Sequence, residues 1–267
     1  MHRDEGNFGN LVSTKRYWSG EGSIANILIS GASRGLGRAL AEEFAKHGDH
    51  IHAGFYSNKP QFDHSSNGTI SPVSLNVRDL ESTAVACSES AAEGPLDILI
   101  NNAGIHLDGR LEYLEQDDFK HILDVNLLGV WRLTKAALPY IPDGGTIVMI
   151  SSLSGLVGLP GDGAYTASKF ALEGMSQSLA AELAPRAIRV VVIEPGAIAT
   201  GFAGNETGDD PNTVAYQIAN IVKKPGPELR YPLGDMGLFV SEQLDLDRGV
   251  RANSVVTDVT GNGWLRP

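Results

Sequence analysis

The chain has 267 residues, which suits one large α/β domain or two small ones and allows a sizeable core without disulfides or metals. Its formal net charge of −11 argues against a general affinity for nucleic acid or anionic membranes. The single cysteine, Cys87, excludes an intramolecular disulfide, and no apolar run is long enough to span a bilayer.

The N-terminal part of the chain is polar and glycine-rich, without the apolar core of a signal sequence. We therefore expect residues 1–25 to form a loosely held extension and residues 26–267 to form one domain of a cytoplasmic protein. In the first half of that domain, short apolar runs alternate with amphipathic stretches. This alternation predicts strands at 24–30, 51–55, 70–75 and 96–100, and helices at 38–47 and 80–92.

The second half continues the alternation. It predicts one long helix within 117–139, bent near Gly129, then a strand at 146–151, a helix at 165–184 and a strand at 187–193. A mobile loop at 200–211, a helix at 212–223 and a strand at 229–233 follow, with Pro232 favouring an edge position or the end of a strand. Because the strands carry few charges and alternate with helices, they predict an α/β fold with a doubly wound parallel sheet.

A glycine-rich turn, Gly31-Ala-Ser-Arg-Gly35-Leu-Gly37, directly follows the first predicted strand and opens the first helix. Gly31 permits a tight turn, Gly35 lets the backbone approach a pyrophosphate, and Gly37 lets the helix and strand pack closely. The helix then offers unpaired N–H groups to a phosphate. A turn without a ligand is the alternative, but the strand–turn–helix context favours dinucleotide binding, with contacts extending to Ser33 and Leu36.

The spacing G-x-x-x-G-x-G resembles that of the classical short-chain dehydrogenase/reductase family, and further motifs extend the resemblance over residues 24–200. The resemblance implies a single-domain Rossmann fold and hydride transfer between a nicotinamide and a small-molecule ketone, aldehyde or secondary alcohol. It also implies a homodimer or homotetramer. In relatives, the segment corresponding to 200–228 forms a substrate lid, whereas 229–267 is atypical, and Gly261-Asn-Gly-Trp-Leu265 only loosely matches the family's C-terminal motif.

The choice of nicotinamide cofactor depends on the end of the second predicted strand. An NAD-selecting site needs a carboxylate there to hold the ribose 2′-OH, and residues 54–58 contain none. Arg34 can offer a guanidinium to a 2′-phosphate, and Tyr56 and Ser57 can donate hydrogen bonds. In the family, a basic residue at the position of Arg34 marks NADP preference. We therefore favour NADP(H) over NAD(H), with a merely solvated Arg34 as the alternative.

Three further motifs match segments that contact the cofactor in the family. Asn76 and Val77 match the segment at the adenine edge, and the N-N-A-G signature follows the fourth strand. A P-G-x-I-x-T motif after the sixth strand matches the segment that meets the nicotinamide carboxamide. The resemblance implies that the last two motifs contribute Asn102, Ala103, Gly104, Pro195, Gly196, Ile198 and Thr200 to the cofactor site.

Tyr165 and Lys169 form a Y-x-x-x-K pair at the start of a strong predicted helix, and i,i+4 spacing places both side chains on one face. A free tyrosine titrates near pH ~10, and a cation one turn away favours the phenolate and lowers that pKa. The resemblance implies that Tyr165 is the proton donor and that Lys169 also binds the cofactor. It further implies that Ser152 polarises the substrate carbonyl and that Asn126 holds a water near the lysine.

Several alternatives stay open. The same fold can serve a non-catalytic NADP-sensing or scaffold protein, or a dehydratase or epimerase of the family. His106 follows the N-N-A-G signature, where we favour an exposed loop histidine over a substrate contact. We predict no metal site, because no carboxylate or thiol completes a ligand set around the histidines clustered in the sequence, which are His47, His50, His52 and His64.

Overall fold

The protein is described here from a computed structural model, which covers residues 24–62, 67–204, 207–224 and 228–235. Apart from Ile24 and Ala25, the predicted N-terminal extension lies outside the described residues. So do His64 and the segment 238–267, including the motif at Gly261–Leu265. No helix within the described ranges is both long enough and apolar enough to cross a membrane.

Seven strands of the described chain form one parallel sheet in the order β3-β2-β1-β4-β5-β6-β7. This order reverses between β1 and β4, which creates the crevice where open parallel sheets bind ligands. The sequence prediction of a doubly wound Rossmann sheet is therefore confirmed. The strands are β1 (Asn26–Ile29), β2 (His50–Phe55), β3 (Thr69–Ser74), β4 (Ile98–Asn101), β5 (Thr146–Ile150), β6 (Arg189–Pro195) and β7 (Arg230–Leu233).

Helices cover both faces of the sheet. One face packs against α1 and α6, and the other against α2, α4 and α5, so that β1, β4, β5 and β6 are buried on both sides. Because their side chains alternate between the two cores, these strands consist almost entirely of apolar residues. The α-helices are α1 (Gly35–Lys46), α2 (Leu80–Ser90), α3 (Gln116–Leu123), α4 (Val130–Ala137), α5 (Gly163–Leu183) and α6 (Pro211–Lys223).

The sixth and seventh strands differ slightly from their predicted limits. Ala187 adopts a left-handed backbone with φ of 51°, which keeps it out of β6, and the strand begins at Arg189. Among the described residues, β7 pairs only with β6 and forms the edge of the sheet, with Pro232 opposite Glu194. The edge position predicted from Pro232 is therefore confirmed, because a proline cannot donate a ladder hydrogen bond to a second neighbour.

The long helix predicted within 117–139 is divided. A π-helical segment, Asp124–Gly129, separates α3 from α4. Gly129, where the sequence predicts a bend, is the last residue of this segment, and a Cβ atom there would lie 2.8 Å from Cγ2 of Val77. Close packing against Val77 explains the glycine. Single π turns of this kind are frequent at functional sites.

The predicted lid range, 200–228, contains two different structures. Thr200 and Phe202 line the ligand cavity, and Phe202–Gly204 form a short 3₁₀ turn rather than a structureless loop. The helix α6 instead packs Val214, Ile218 and its other apolar residues into the core beside α1. We therefore propose a lid role only for the residues of this range that lie close to Phe202.

Candidate active site

A cavity of about 720 Å³ opens at the carboxyl ends of the central strands. Every residue predicted to contact the cofactor lines this cavity, and Ser152 lines it as well. The predicted set comprises Gly31, Ser33, Arg34, Gly35, Leu36, Gly37, Tyr56, Ser57, Asn76, Val77, Asn102, Ala103, Gly104, Tyr165, Lys169, Pro195, Gly196, Ile198 and Thr200. The sheet thus brings together residues that are far apart in the sequence, while Asn126 stands behind the cavity wall.

The glycine turn is braced by the segment after β4. Nδ2 of Asn102 donates hydrogen bonds to the carbonyl oxygens of Ser30 (2.9 Å) and Gly31 (3.1 Å). The Ser30 hydroxyl in turn accepts from the backbone N–H groups of Asn102 and Ala103, both at 3.0 Å. The Asn102 side chain therefore holds the turn in shape, which adds a bracing function to its predicted proximity to the cofactor.

Two glycines of the turn are needed for different reasons. Gly31 has a φ of +68°, in the left-handed region that residues with a Cβ rarely adopt. A Cβ on Gly37 would lie 2.5 Å from Nδ2 of Asn102 and would also strike the Gly31 backbone. The turn therefore packs too tightly for side chains, as expected for a backbone that closes around a phosphate.

The end of the cavity lined by Arg34 and Tyr56 is basic. Arg34 is exposed at the rim, and no ion pair to it occurs within the described ranges, whereas Arg78 pairs with Asp124 at 2.9 Å. Asp162 is the one carboxylate among the described lining residues, and it belongs to the catalytic end. The residues after β2 that line the cavity are Tyr56 and Ser57. A ligand phosphate at this end would therefore meet a cation and hydroxyl groups.

Tyr165 lies on the first turn of α5 and is 7% exposed. Burial raises the pKa of its phenol above the ordinary value, a hydrogen bond with Ser152 opposes the rise, and the charge of Asp162 adds to it. Ser152, which caps the 3₁₀ turn Leu153–Gly155 after β5, also accepts a hydrogen bond from the Ser154 N–H at 3.1 Å. The phenol and the serine hydroxyl thus converge on one point of the cavity.

Lys169 follows one turn later on the same face of α5. Its Nζ donates to the Ile150 carbonyl at the end of β5, at 2.7 Å, and lies 5.5 Å from the centre of the Tyr165 ring. Burial lowers the pKa of Lys169 to about 8, and Glu173 opposes this. The sequence predicts that Lys169 lowers the pKa of Tyr165. In the structure, burial instead raises the pKa of Tyr165.

Asn126, in the π-helical segment, is 1% exposed and fully engaged as a donor. Its Nδ2 donates to the Ile105 carbonyl (2.9 Å) and the Ser168 hydroxyl (3.1 Å), and its Oδ1 accepts from the Ile105 N–H (2.8 Å). The amide therefore joins the loop after β4 to the catalytic helix. Both side-chain donors of Asn126 are used within the protein, so a water held by this residue, as the resemblance implies, would have to donate its hydrogen bond to an oxygen atom of Asn126.

His106 differs from its predicted exposed position. Its side chain is 5% exposed and lines the cavity, with Nε2 3.0 Å from Oδ1 of Asp162 and its ring edge-on to Tyr165. The hydrogen bond to Asp162 raises the pKa of His106, and burial acts in the opposite direction. The expectation of an exposed loop histidine was wrong, because its partner Asp162 lies on a segment far along the chain.

The chain is similar to known proteins of one family. The sequence pattern of the family described as short chain dehydrogenase matches residues 25–211, which is most of the chain. The chain belongs to the classical short-chain dehydrogenase/reductase family. It is accordingly an oxidoreductase of that family, and the sequence interpretation is confirmed at this level.

Individual relatives of this short-chain dehydrogenase agree. Oxidoreductase UcpA of Salmonella typhimurium is 36% identical over 228 residues, which cover 80% of this chain and 86% of UcpA. A short-chain dehydrogenase from Streptomyces avermitilis has a TM-score of 0.76 at 30% identity, covering 91% of this chain and 98% of that one. A short-chain dehydrogenase from Burkholderia cenocepacia, solved in complex with NADP, has a TM-score of 0.78 at 25% identity, covering 86% and 97%.

The site of this short-chain dehydrogenase contains one arrangement that the motifs do not predict. Sequence reasoning assigned Asp162 no role and left His106 in solvent, yet the two form a partly buried polar pair beside Tyr165. The one available signal was the position of His106 directly after the N-N-A-G signature. This position was not sufficient, because it did not indicate which residue would contact His106.

Proposed function

We propose that this protein is an NADP(H)-dependent oxidoreductase that transfers hydride between the nicotinamide and a ketone, aldehyde or secondary alcohol. The observation that carries the proposal is that Ser152, Tyr165 and Lys169 line the same cavity as the glycine turn, with Lys169 one helical turn after Tyr165 on α5. Two hydroxyl groups that converge at a buried point can hold a carbonyl oxygen and supply it with a proton.

When bound, the reduced nicotinamide would supply the hydride to the carbonyl carbon. The Ser152 hydroxyl would donate a hydrogen bond to the carbonyl oxygen as negative charge develops there. Tyr165, kept protonated by its buried position, would transfer its proton to that oxygen. The Lys169 ammonium, held by the Ile150 carbonyl, would stabilise the phenolate that remains. Asn126 would act by fixing the loop at Ile105 relative to α5.

The volume of the cavity and its glycine-lined wall support the binding of a dinucleotide, because they leave room for a pyrophosphate. A Cβ at Gly37 would clash with the protein itself, so the turn that forms this wall needs a glycine there. Arg34, Tyr56 and Ser57 favour a 2′-phosphate, since the described residues place no carboxylate at that end of the cavity. The NADP complex of the Burkholderia relative is consistent with this choice. NADP(H) is therefore the preferred cofactor in our proposal, ahead of NAD(H).

The proposal is tested by following NADPH oxidation with a panel of ketones and aldehydes, and NADP reduction with secondary alcohols. Tyr165→Phe should lower turnover by roughly two to four orders of magnitude, the usual effect of removing a general acid, while NADPH affinity stays close to wild type. Tyr140→Phe is a matched control, because Tyr140 is not among the residues that line the cavity.

Other outcomes of these assays would support one of the alternative functions. Tight NADPH binding without turnover on any substrate would favour the sensor alternative, and turnover without net redox change would favour an epimerase or dehydratase. If Tyr165→Phe retained full turnover, the central role proposed for the phenol would be wrong.

A further inference from the structure

A cluster of buried charges adjoins Lys169 and takes no part in the chemistry described above. We call it the buried acid cluster and define it as Glu173 of α5, Glu194 of β6 and Arg230 of β7. Glu173 is 6% exposed and Glu194 is 1% exposed. Nε of Arg230 lies 2.9 Å from Oε2 of Glu173 and 3.6 Å from Oε1 of Glu194. Three elements of the fold therefore place two carboxylates around one guanidinium.

The two carboxylates are not equivalent. Burial raises the pKa of Glu194 to about 8, the negative charge of Glu173 adds to the rise, and Arg230 opposes it. Glu194 is therefore largely protonated at neutral pH, and the hydrogen bond from Arg230 goes to Glu173. The guanidinium of Arg230 lies nearer to Glu173 than to Glu194, so it compensates the carboxylate of Glu173 most directly.

Glu173 is also the charged group nearest in sequence to the catalytic ammonium on its own helix face. It follows Lys169 by four residues on α5, the spacing that brings side chains together on a helix. A buried ammonium is destabilised by the loss of water, and a carboxylate one turn away compensates for that loss. Glu173 is the one charge found to favour the protonated form of Lys169, whose pKa burial lowers.

The surroundings of Lys169 offer few other charges within the described residues. On α5 it has Tyr165 and Glu173, and β5 contributes the Ile150 carbonyl as its hydrogen-bond acceptor. Asn126 from the π-helical segment is uncharged and bonds to Ser168 rather than to the lysine. Glu194 and Arg230, from β6 and β7, contact Glu173.

We propose that Glu173 is a positioning residue for the catalytic lysine: held in place by Arg230 from the edge strand β7, its carboxylate keeps Lys169 protonated and aligned with Tyr165. The proposal rests on the proposed function for its link to catalysis. Under this proposal the edge strand β7 contributes to the acid–base chemistry, although none of its residues lines the cavity.

The test replaces Glu173 by glutamine, which keeps the size of the side chain and removes its charge. In Glu173→Gln we expect the alkaline limb of the kcat/KM profile for carbonyl reduction to move to lower pH by about one unit. The value of kcat/KM at about pH 8 should then fall roughly fivefold, with a much smaller loss at about pH 6. Glu173→Asp should restore most of the limb's position, because it keeps the charge. Glu182→Gln, an exposed replacement of the same kind on α5, should leave the profile unchanged.

A second measurement does not depend on turnover. NMR titration of the Lys169 side chain in the cofactor-free protein should give a lower pKa in Glu173→Gln than in wild type. If Glu173→Gln does not fold, the double variant Glu173→Gln/Arg230→Gln, which removes both members of the ion pair, is compared with Arg230→Gln, and the pKa of Lys169 should be lower in the double variant. The Lys169 titration also separates this proposal from the proposed function, which fails if wild-type protein turns over no substrate.

Two results would overturn the proposal. One is an unchanged Lys169 titration in a folded Glu173→Gln protein. The other is an equal shift in Glu194→Gln, which imitates the protonated form of Glu194 and leaves the Glu173–Arg230 pair in place. An equal shift would mean that any disturbance of the buried acid cluster acts on the lysine, whatever the charge of Glu173.

Discussion

The imidazole of His106 lies edge-on against the phenol ring of Tyr165, with ring centroids 4.9 Å apart and planes inclined at 67°. The same imidazole is hydrogen-bonded to Asp162, one residue before α5 begins. Asp162 raises the pKa of His106, and it adds to the rise that burial causes in the pKa of Tyr165. One carboxylate therefore favours the protonated forms of both rings at the catalytic end of the cavity.

Asp162→Asn is expected to lower the pKa of His106, because the hydrogen bond to Asp162 is the largest cause of its elevation. NMR titration of the imidazole checks this. Asp108→Asn is a suitable control, since Asp108 is exposed, lies 3.6 Å from Nδ1 of His106 and contributes less to the elevation. An equal shift in both variants would contradict the assignment of Asp162 as the main partner.

The same pair has a consequence for stability. A histidine with a raised pKa in the folded state stabilises the fold below its unfolded value of about 6.5, and this contribution disappears as pH rises through the raised value. Asp162→Asn should therefore reduce the free energy of unfolding more at about pH 6 than at about pH 9. Denaturant unfolding at the two pH values measures this, and an equal loss at both would speak against the pair.

Carbonyl reduction is expected to slow as pH rises through about 8. Burial lowers the pKa of Lys169 to about 8, and loss of its proton removes the cation that stabilises the phenolate of Tyr165. The phenol itself stays protonated over this range, because burial raises its pKa. The measurement is kcat/KM for NADPH-dependent reduction against pH. A flat profile up to about pH 10 would show that the charge of Lys169 is not needed.

Arg34→Ala is expected to weaken NADPH binding by roughly ten- to a hundredfold, the effect of losing a charge-assisted hydrogen bond, with little change for NADH. Arg34→Glu should go further and favour NADH. Arg38→Ala is the matched control, because Arg38 lies on the same helix α1 but pairs with Glu42 at 2.8 Å and does not line the large cavity. Equal losses for NADPH and NADH would rule out recognition of the 2′-phosphate.

Two glycine-to-alanine changes are expected to have opposite effects. Gly37→Ala places a Cβ 2.5 Å from Nδ2 of Asn102 and against the Gly31 backbone, so it should abolish dinucleotide binding and destabilise the fold. Gly174→Ala meets open space within α5 and should stabilise the protein by about 0.5–1 kcal/mol. Thermal unfolding and NADPH titration of the two variants provide the comparison. Retained NADPH affinity in Gly37→Ala would contradict the tight-turn argument.

Local sequence patterns were sufficient for most of the architecture. The alternation of strands and helices and the glycine turn follow from hydrophobic periodicity and from a motif placed directly after a strand, and both depend on neighbours a few residues apart. The predicted ends of the strands and helices were less accurate. At β6, for example, the left-handed backbone of Ala187 makes the strand begin later than predicted. The π-helical segment was also missed, because the packing of Gly129 against Val77 is a contact between distant parts of the chain.

For the candidate site, too, some features follow from the sequence and others only from the tertiary structure. By itself, the sequence determined that the motif residues line one cavity, because each motif follows a strand and the carboxyl ends of parallel strands lie at one edge of the sheet. Only the tertiary structure decided the partners: the pairing of His106 with Asp162, the amide of Asn102 on the glycine turn, and the ion pair of Glu173 with Arg230. These contacts join segments distant in sequence, and the burial that shifts the pKa of Tyr165 and Lys169 exists only once those segments pack together.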